Sequence, residues 1–171
     1  MSVSYWTRAV SGLRQLTNIV EVTDLTGLLR SSLAKATVTG DGNQPNTILT
    51  LTAERLDAEW SITANTMSHS GSPDYVQINA VAYYQQPLNT AFQRIAPVLE
   101  LLKNGTVVAI SASAYQRHAN GHDSSSNTIA YTDHDPGDDP VYQLRAQQGG
   151  TQNDLLEIDQ GHFGLVAYTK V

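Results

Sequence analysis

The chain has 171 residues, 40% of them hydrophobic and 15% charged, with no cysteine and a formal net charge of -6. This length and apolar content suit one domain with a sizeable core and exclude a disordered chain. The missing cysteines exclude disulfides, thiolate nucleophiles and Cys-ligated metal, and the acidic balance leaves no basic footprint for nucleic acid or an anionic membrane surface. The charged fraction lies well below the roughly 25% of an ordinary globular protein. Ser, Thr, Asn and Gln take its place, a composition that suits the solvent face of a β-sheet. No run reaches the ~20 apolar residues of a membrane helix, and Met1 to Arg8 lacks a signal peptide's apolar stretch. The expectation is a soluble chain made in a cytoplasm.

Residues 1–34 read as an N-terminal arm. Trp6, Val10 and Leu13 recur at helical spacing, and Leu25, Leu28, Leu29 and Leu33 do so again behind Thr23 and Asp24 as N-caps. One or two short helical turns are expected there, with Leu16–Val22 as an alternative strand. Tyr5 and Trp6 are large, apolar and near the terminus. Together with Val10 and Leu13 they are the candidate contacts of the arm with a neighbouring subunit or shell; the competing reading packs them on the chain's own sandwich.

From Lys35 the period changes to two, and residues 35–171 read as one β-sandwich. Thr47–Ala53 alternates. Ala58, Trp60 and Ile62 oppose Glu59, Ser61 and Thr63. In Tyr75–Tyr84 the residues Val76, Ile78, Ala80 and Ala82 share a face opposite Gln77 and Asn79. Val98–Leu102 and Thr106–Tyr115 flank Asn104-Gly105, a hairpin signal because both central residues of a type I′ turn need positive φ. On the second of these strands Val108, Ile110, Ala112 and Ala114 are expected to oppose Ser111 and Ser113. Thr128–Asp133, Val141–Gln147, Asp154–Asp159 and Phe163–Val171 complete eight to ten short strands, the pattern of a sandwich or barrel. No long amphipathic helix interrupts them, so a βαβ architecture is not expected.

Two polar loops carry residue types suited to metal binding. His118 and His122 lie four apart, a metal spacing on a helix, but here within an Asn-Gly loop. Asp133–Pro140 is acidic, yet lacks the alternating Asp and twelfth-position Glu of a calcium loop. Solvated turns are the expectation for both, with no metal and no cofactor. There is no G-x-S-x-G elbow, no S-x-x-K set and no phosphate loop, so no catalytic residue is assigned and an enzyme is not expected.

The order of the C-terminal half resembles the trimeric jelly-roll domains of the C1q and tumour-necrosis-factor type. Val98–Tyr115 is similar to that family's central hairpin, and Asn127–Gln147 to the next pair. Gly161-His162-Phe163-Gly164-Leu165, running on to Lys170-Val171, is similar to its last strand. The likeness covers about residues 60–171, without a collagen-like repeat and with only two Phe. Jelly rolls of bacteriophage decoration (cement) proteins and fibre tips share these features.

The resemblance implies an all-β, single jelly-roll domain that forms a homotrimer, with Tyr83, Tyr115, Phe163 and Tyr168 as candidate interface aromatics. For each, an ordinary place in one protomer's core is the competing reading. The expected function is a structural virion protein, a trimeric decoration protein that binds the major capsid protein or neighbouring virion subunits and stabilises a phage head. A receptor- or glycan-binding fibre tip is the alternative, with Tyr115, His118, His122 and His134 as candidate contacts. A cupin-type enzyme stands behind both.

Overall fold

The computed structural model describes residues 29–41, 47–85, 94–112, 116–117, 124–149 and 157–170. Every regular element among them is a strand. In chain order these are β1 (Leu29–Asp41), β2 (Thr47–Ile48), β3 (Thr50–Leu56), β4 (Trp60–Thr63), β5 (Thr66–His69) and β6 (Tyr75–Gln85). The second half supplies β7 (Arg94–Lys103), β8 (Thr106–Ile110), β9 (Gln116–Arg117), β10 (Ser124–Asp133), β11 (Val141–Gly149) and β12 (Glu157–Lys170). They form two antiparallel sheets. One has the order β10-β6-β12-β1-β3; the other has β4-β5-β11-β7-β8, with β2 on β11 and β9 on β7. Two such sheets laid face to face, with long crossovers between strands adjacent in space, make a jelly roll.

Alternation builds the core. On the five-stranded sheet Ala34, Ala36 and Val38 of β1, Val76, Ile78, Ala80 and Ala82 of β6, and Phe163, Leu165 and Ala167 of β12 are all buried. Small alanines on this sheet leave room for the larger side chains facing them: Leu99 and Leu101 of β7, Tyr142 and Leu144 of β11, and Met67 of β5. Gly161 allows the tightest approach. A Cβ there would stand 2.8 Å from the Val81 carbonyl oxygen and 2.9 Å from the Val38 Cβ.

The strands differ from the sequence reading in four places. First, β1 begins at Leu29, so residues 29–34 belong to the sandwich and not to a helical arm. Leu29 and Leu33 fall on the outer face, and the inner face is Ser32, Ala34, Ala36 and Val38. A face of Ser and Ala leaves little hydrophobic signal, so the leucines dominated the pattern. Second, β4 and β5 form a hairpin whose turn is Ala64-Asn65, at φ 48 and 62, a positive-φ pair without glycine. Third, the segments read as Asp154–Asp159 and Phe163–Val171 join into one strand, β12, with a register shift between Ile158 and Gln160. Fourth, Ile110 is 61% exposed, because a register shift between Leu101 and Leu102 changes the parity of β8. The Asn104-Gly105 turn stands as expected, with φ 48 and 80.

Candidate functional site

The outer face of the five-stranded sheet is an exposed surface organised by regular structure. The residues of β6 that alternate with its buried set point there: Tyr75, Gln77, Asn79, Val81 and Tyr83. From β12 come His162, Gly164, Val166 and Tyr168, and from β1 Leu33, Lys35 and Thr37. Register brings these side chains together. Tyr168 stands opposite Tyr75 and their rings stack at a centroid distance of 4.5 Å, while the Tyr168 hydroxyl donates to Gln77 Oε1 at 3.2 Å. Val81 and Tyr83 remain 37% and 39% exposed. Neighbouring β10 adds Ser126, Thr128 and Ala130, so the middle of the face carries no charge. A Cβ on Gly164 would meet only the Asn79 carbonyl oxygen, at 3.9 Å, which leaves a notch between β12 and β6.

Charge on this face lies toward the β1–β3 side, where Arg55 stands opposite Lys35, and at its end, where Lys170 follows Tyr168 on β12. Lys35 Nζ lies 2.5 Å from Glu54 Oε2, and His162 Nδ1 3.3 Å from Glu54 Oε1. The Lys35 hydrogen bond holds the Glu54 carboxyl below its usual range; partial desolvation opposes this, and the charges of Lys35 and His162 reinforce it.

Of the residues singled out in the sequence, Tyr83 and Tyr168 share this face. Phe163 does not. It is fully buried within one protomer, packed in the core, and has no surface to offer a second subunit. Tyr115, and the arm residues Tyr5, Trp6, Val10 and Leu13, lie outside the described residues, as do His118 and His122. Sequence reasoning put Leu33 in a helical stripe and passed over Tyr75, Val81 and Val166 as residues of this face. Their signal was the second parity of β6 and β12, which was read only as the polar side of a half-buried strand.

The acidic loop is built from paired carboxylates that point apart. Asp133 is buried, and its carboxylate receives Lys103 Nζ at 2.8 Å and the Tyr142 hydroxyl at 2.7 Å. Burial, then Asp133, pushes the Tyr142 phenol far above its usual range. Asp139 accepts the Gly71 N–H at 2.6 Å, and Asp138 accepts the Ser72 hydroxyl. The loop is thereby tied to the turn after β5. Among the described residues no three His, Asp or Glu side chains are placed to hold a metal ion. Loop 134–140 leaves β10 at the end marked by Asp133, the opposite end of that strand from Ser124.

Two antiparallel sheets with this strand order define a jelly roll of the tumour-necrosis-factor type. A crystal structure of murine APRIL, determined at pH 8.5, superposes with a TM-score of 0.51 at 6% identity, over 81% of this chain and 99% of that one. A second murine APRIL structure, at pH 5.0, gives a TM-score of 0.49 at 6% identity with the same coverage. At that identity the likeness is one of fold. No protein-family model and no curated protein matches the sequence.

Proposed function

We propose that the protein is a structural binding module that assembles as a homotrimer through the outer face of its five-stranded sheet and decorates a virus capsid. The observation that carries the assembly step is that face: an uncharged surface bearing Tyr75, Tyr83 and Tyr168 with Val81 and Val166, flanked by an ion-paired margin. Tyrosine-rich, charge-poor centres with polar rims are the anatomy of protein interfaces. A closed ring also covers sheet edges that would otherwise template aggregation. A hollow of about 230 Å³ between β6 and β10, lined by Gln77, Asn79, Ala130 and Thr132, offers a neighbour's side chain a seat. The capsid step rests on the phage-like resemblance and on composition: a charge-poor, cysteine-free β-domain without a described catalytic cluster. Three copies presented together gain avidity for a repeating shell without any single strong contact.

Light scattering tests the assembly. A trimer of 18.5 kDa chains has a mass of about 55 kDa, three times the chain mass. Tyr83→Glu and Tyr168→Glu are each expected to give folded monomers, because three like charges would meet around one axis. A wild-type monomer sinks the trimer. Co-sedimentation of the trimer with the capsids of its own virus, at a fixed copy number per shell, tests the decoration role; loss of co-sedimentation in the monomeric variants ties it to avidity.

A further inference from the structure

At one end of the sandwich the core changes character. The inward positions of β1 run Val38, Ala36, Ala34 and then Ser32 and Arg30; those of β12 run Leu165, Ala167 and then Thr169. Arg30 pairs with Thr169 across the ladder, and Ser32 with Ala167. From the facing sheet, Met67 is followed by His69. The apolar layers thus end in a polar one, open to solvent as a cleft of about 290 Å³ between the sheets. That lies near the lower limit of small-molecule sites, about 300–1,000 Å³, so the occupant is smaller than a drug-sized ligand.

The floor of the cleft is held rigidly. Trp60 Nε1, which can only donate, gives a hydrogen bond to Ser32 Oγ at 3.1 Å, and Ser32 Oγ lies 3.3 Å from His69 Nε2. The arrangement that satisfies all three groups has the Ser32 hydroxyl donating to Nε2, which leaves the proton of His69 on Nδ1. The Trp60 and His69 rings meet edge to face at 4.8 Å. His69 is 4% exposed and its Nδ1 has no hydrogen-bond partner, a costly state for a buried donor. Above this floor stand Lys170 and the Arg30–Glu59 ion pair, which bridges the two sheets, with Ser70, Gly71 and Ser72 along one side.

We propose that this cleft binds a small hydroxylated carboxylate of the sugar-acid class. Lys170 is a cation at the mouth with no carboxylate within ion-pairing distance among the described residues, and it suits a single negative charge. A phosphate dianion is disfavoured, because Glu59 lines the same cleft and Asp138 and Asp139 brace its Ser72 and Gly71 side. Ligand hydroxyls need acceptors as well as donors, and the wall supplies both: the Glu59 carboxylate accepts, and Arg30 and Ser70 carry donors. The Gly71 backbone already draws weakly on the His69 ring without forming a full hydrogen bond to Nδ1, and a ligand oxygen seated against that turn completes one. Asp139 holds Gly71 at both its N–H and its carbonyl, and the open space beside it, where a Cβ would meet nothing within 4 Å, is room for the ligand. The cleft opens at the end of the sandwich, where Lys170 borders the assembly face beyond Tyr168.

Calorimetric titration of the full chain with D-glucuronate, D-glucose and acetate tests this, alongside 15N spectra of the histidine rings. Saturable glucuronate binding, tighter than that of glucose or acetate, with movement of the His69 Nδ1 resonance, is the expected result. Lys170→Ala and Arg30→Ala alter exposed side chains that the fold does not need, and each is expected to weaken glucuronate about tenfold, the loss of one charge-assisted hydrogen bond. Absence of saturable binding overturns the proposal. So does equal binding of acetate, or glucuronate binding that leaves both variants and the His69 resonance unchanged. Light scattering on the same samples reads the trimer separately.

Discussion

A single missing atom shapes the middle of the five-stranded sheet. Gly161 sits where a Cβ would press on Val81 and Val38 at under 3 Å, and the first of those contacts is to backbone, which cannot rotate away. Gly161→Ala is therefore expected to destabilise the fold by about 2 kcal/mol or more, as overpacking does. The midpoint of denaturant unfolding would fall at unchanged slope. A variant as stable as the parent would show that β12 can shift on β1 and β6 at no cost. Asp133 offers a second residue-scale test. Asp133→Ala strands the Tyr142 hydroxyl and leaves Lys103 Nζ only the Asp135 carbonyl, with an expected loss of about 3 kcal/mol read by the same method. His69 gives a pH signature. Burial holds its basicity below the ordinary value near 6.5, against the opposing influence of the Gly71 backbone, Glu59 and Asp139. A histidine whose folded form resists protonation binds fewer protons than the unfolded chain. Its contribution to stability is complete above pH 6.5 and is lost as pH falls through that value toward the lowered one. Denaturation midpoints should decline as pH falls below 6.5, and His69→Gln should flatten that decline.

Whole elements show where the sequence could be read and where it could not. Val76, Ile78, Ala80 and Ala82 alternate with polar residues, and β6 was legible with its facing correct. The Asn104-Gly105 turn was legible because its residue types tolerate the backbone that it adopts. β5 was not, because Ala64-Asn65 carries no glycine to mark a reversal, although both residues take positive φ. β1 was hidden because its buried side is Ser32, Ala34 and Ala36, so its leucines mimicked a helix. The assembly face was half legible: Tyr83 and Tyr168 stood out as aromatics, but only register shows that Tyr75 and Tyr168 touch. The cleft could not have been read at all. Its residues come from β1, the turn before β4, the end of β5 and the end of β12, and no local pattern links them. One element-scale prediction follows from the β4–β5 turn. Ala64→Gly relieves a side chain held at φ 48 and is expected to raise stability by about 0.5–1 kcal/mol, seen as a higher melting temperature. An unchanged or lowered value would mean that the looser unfolded chain outweighs the relief.

On the scale of the molecule, the two sheets divide their work. One carries alanines with the large Tyr84 and Phe163 on its inner side and shows an outer face uncharged along β6 and β10; the other supplies Leu99, Leu101, Tyr142 and Leu144 to the core and carries the part-buried Arg145–Glu100 pair, 2.6 Å apart, on strands β11 and β7. The ladder between β1 and β12 joins the first described strand to the last, with Leu29 opposite Lys170. That adjacency has a mechanical consequence. Tension applied at Leu29 and Lys170 pulls the two strands apart at the same end, so their rungs break one after another and never share the load. A chain tethered through those two points would tear there first. Force borne across the broad side of the sandwich would instead be spread over many contacts at once.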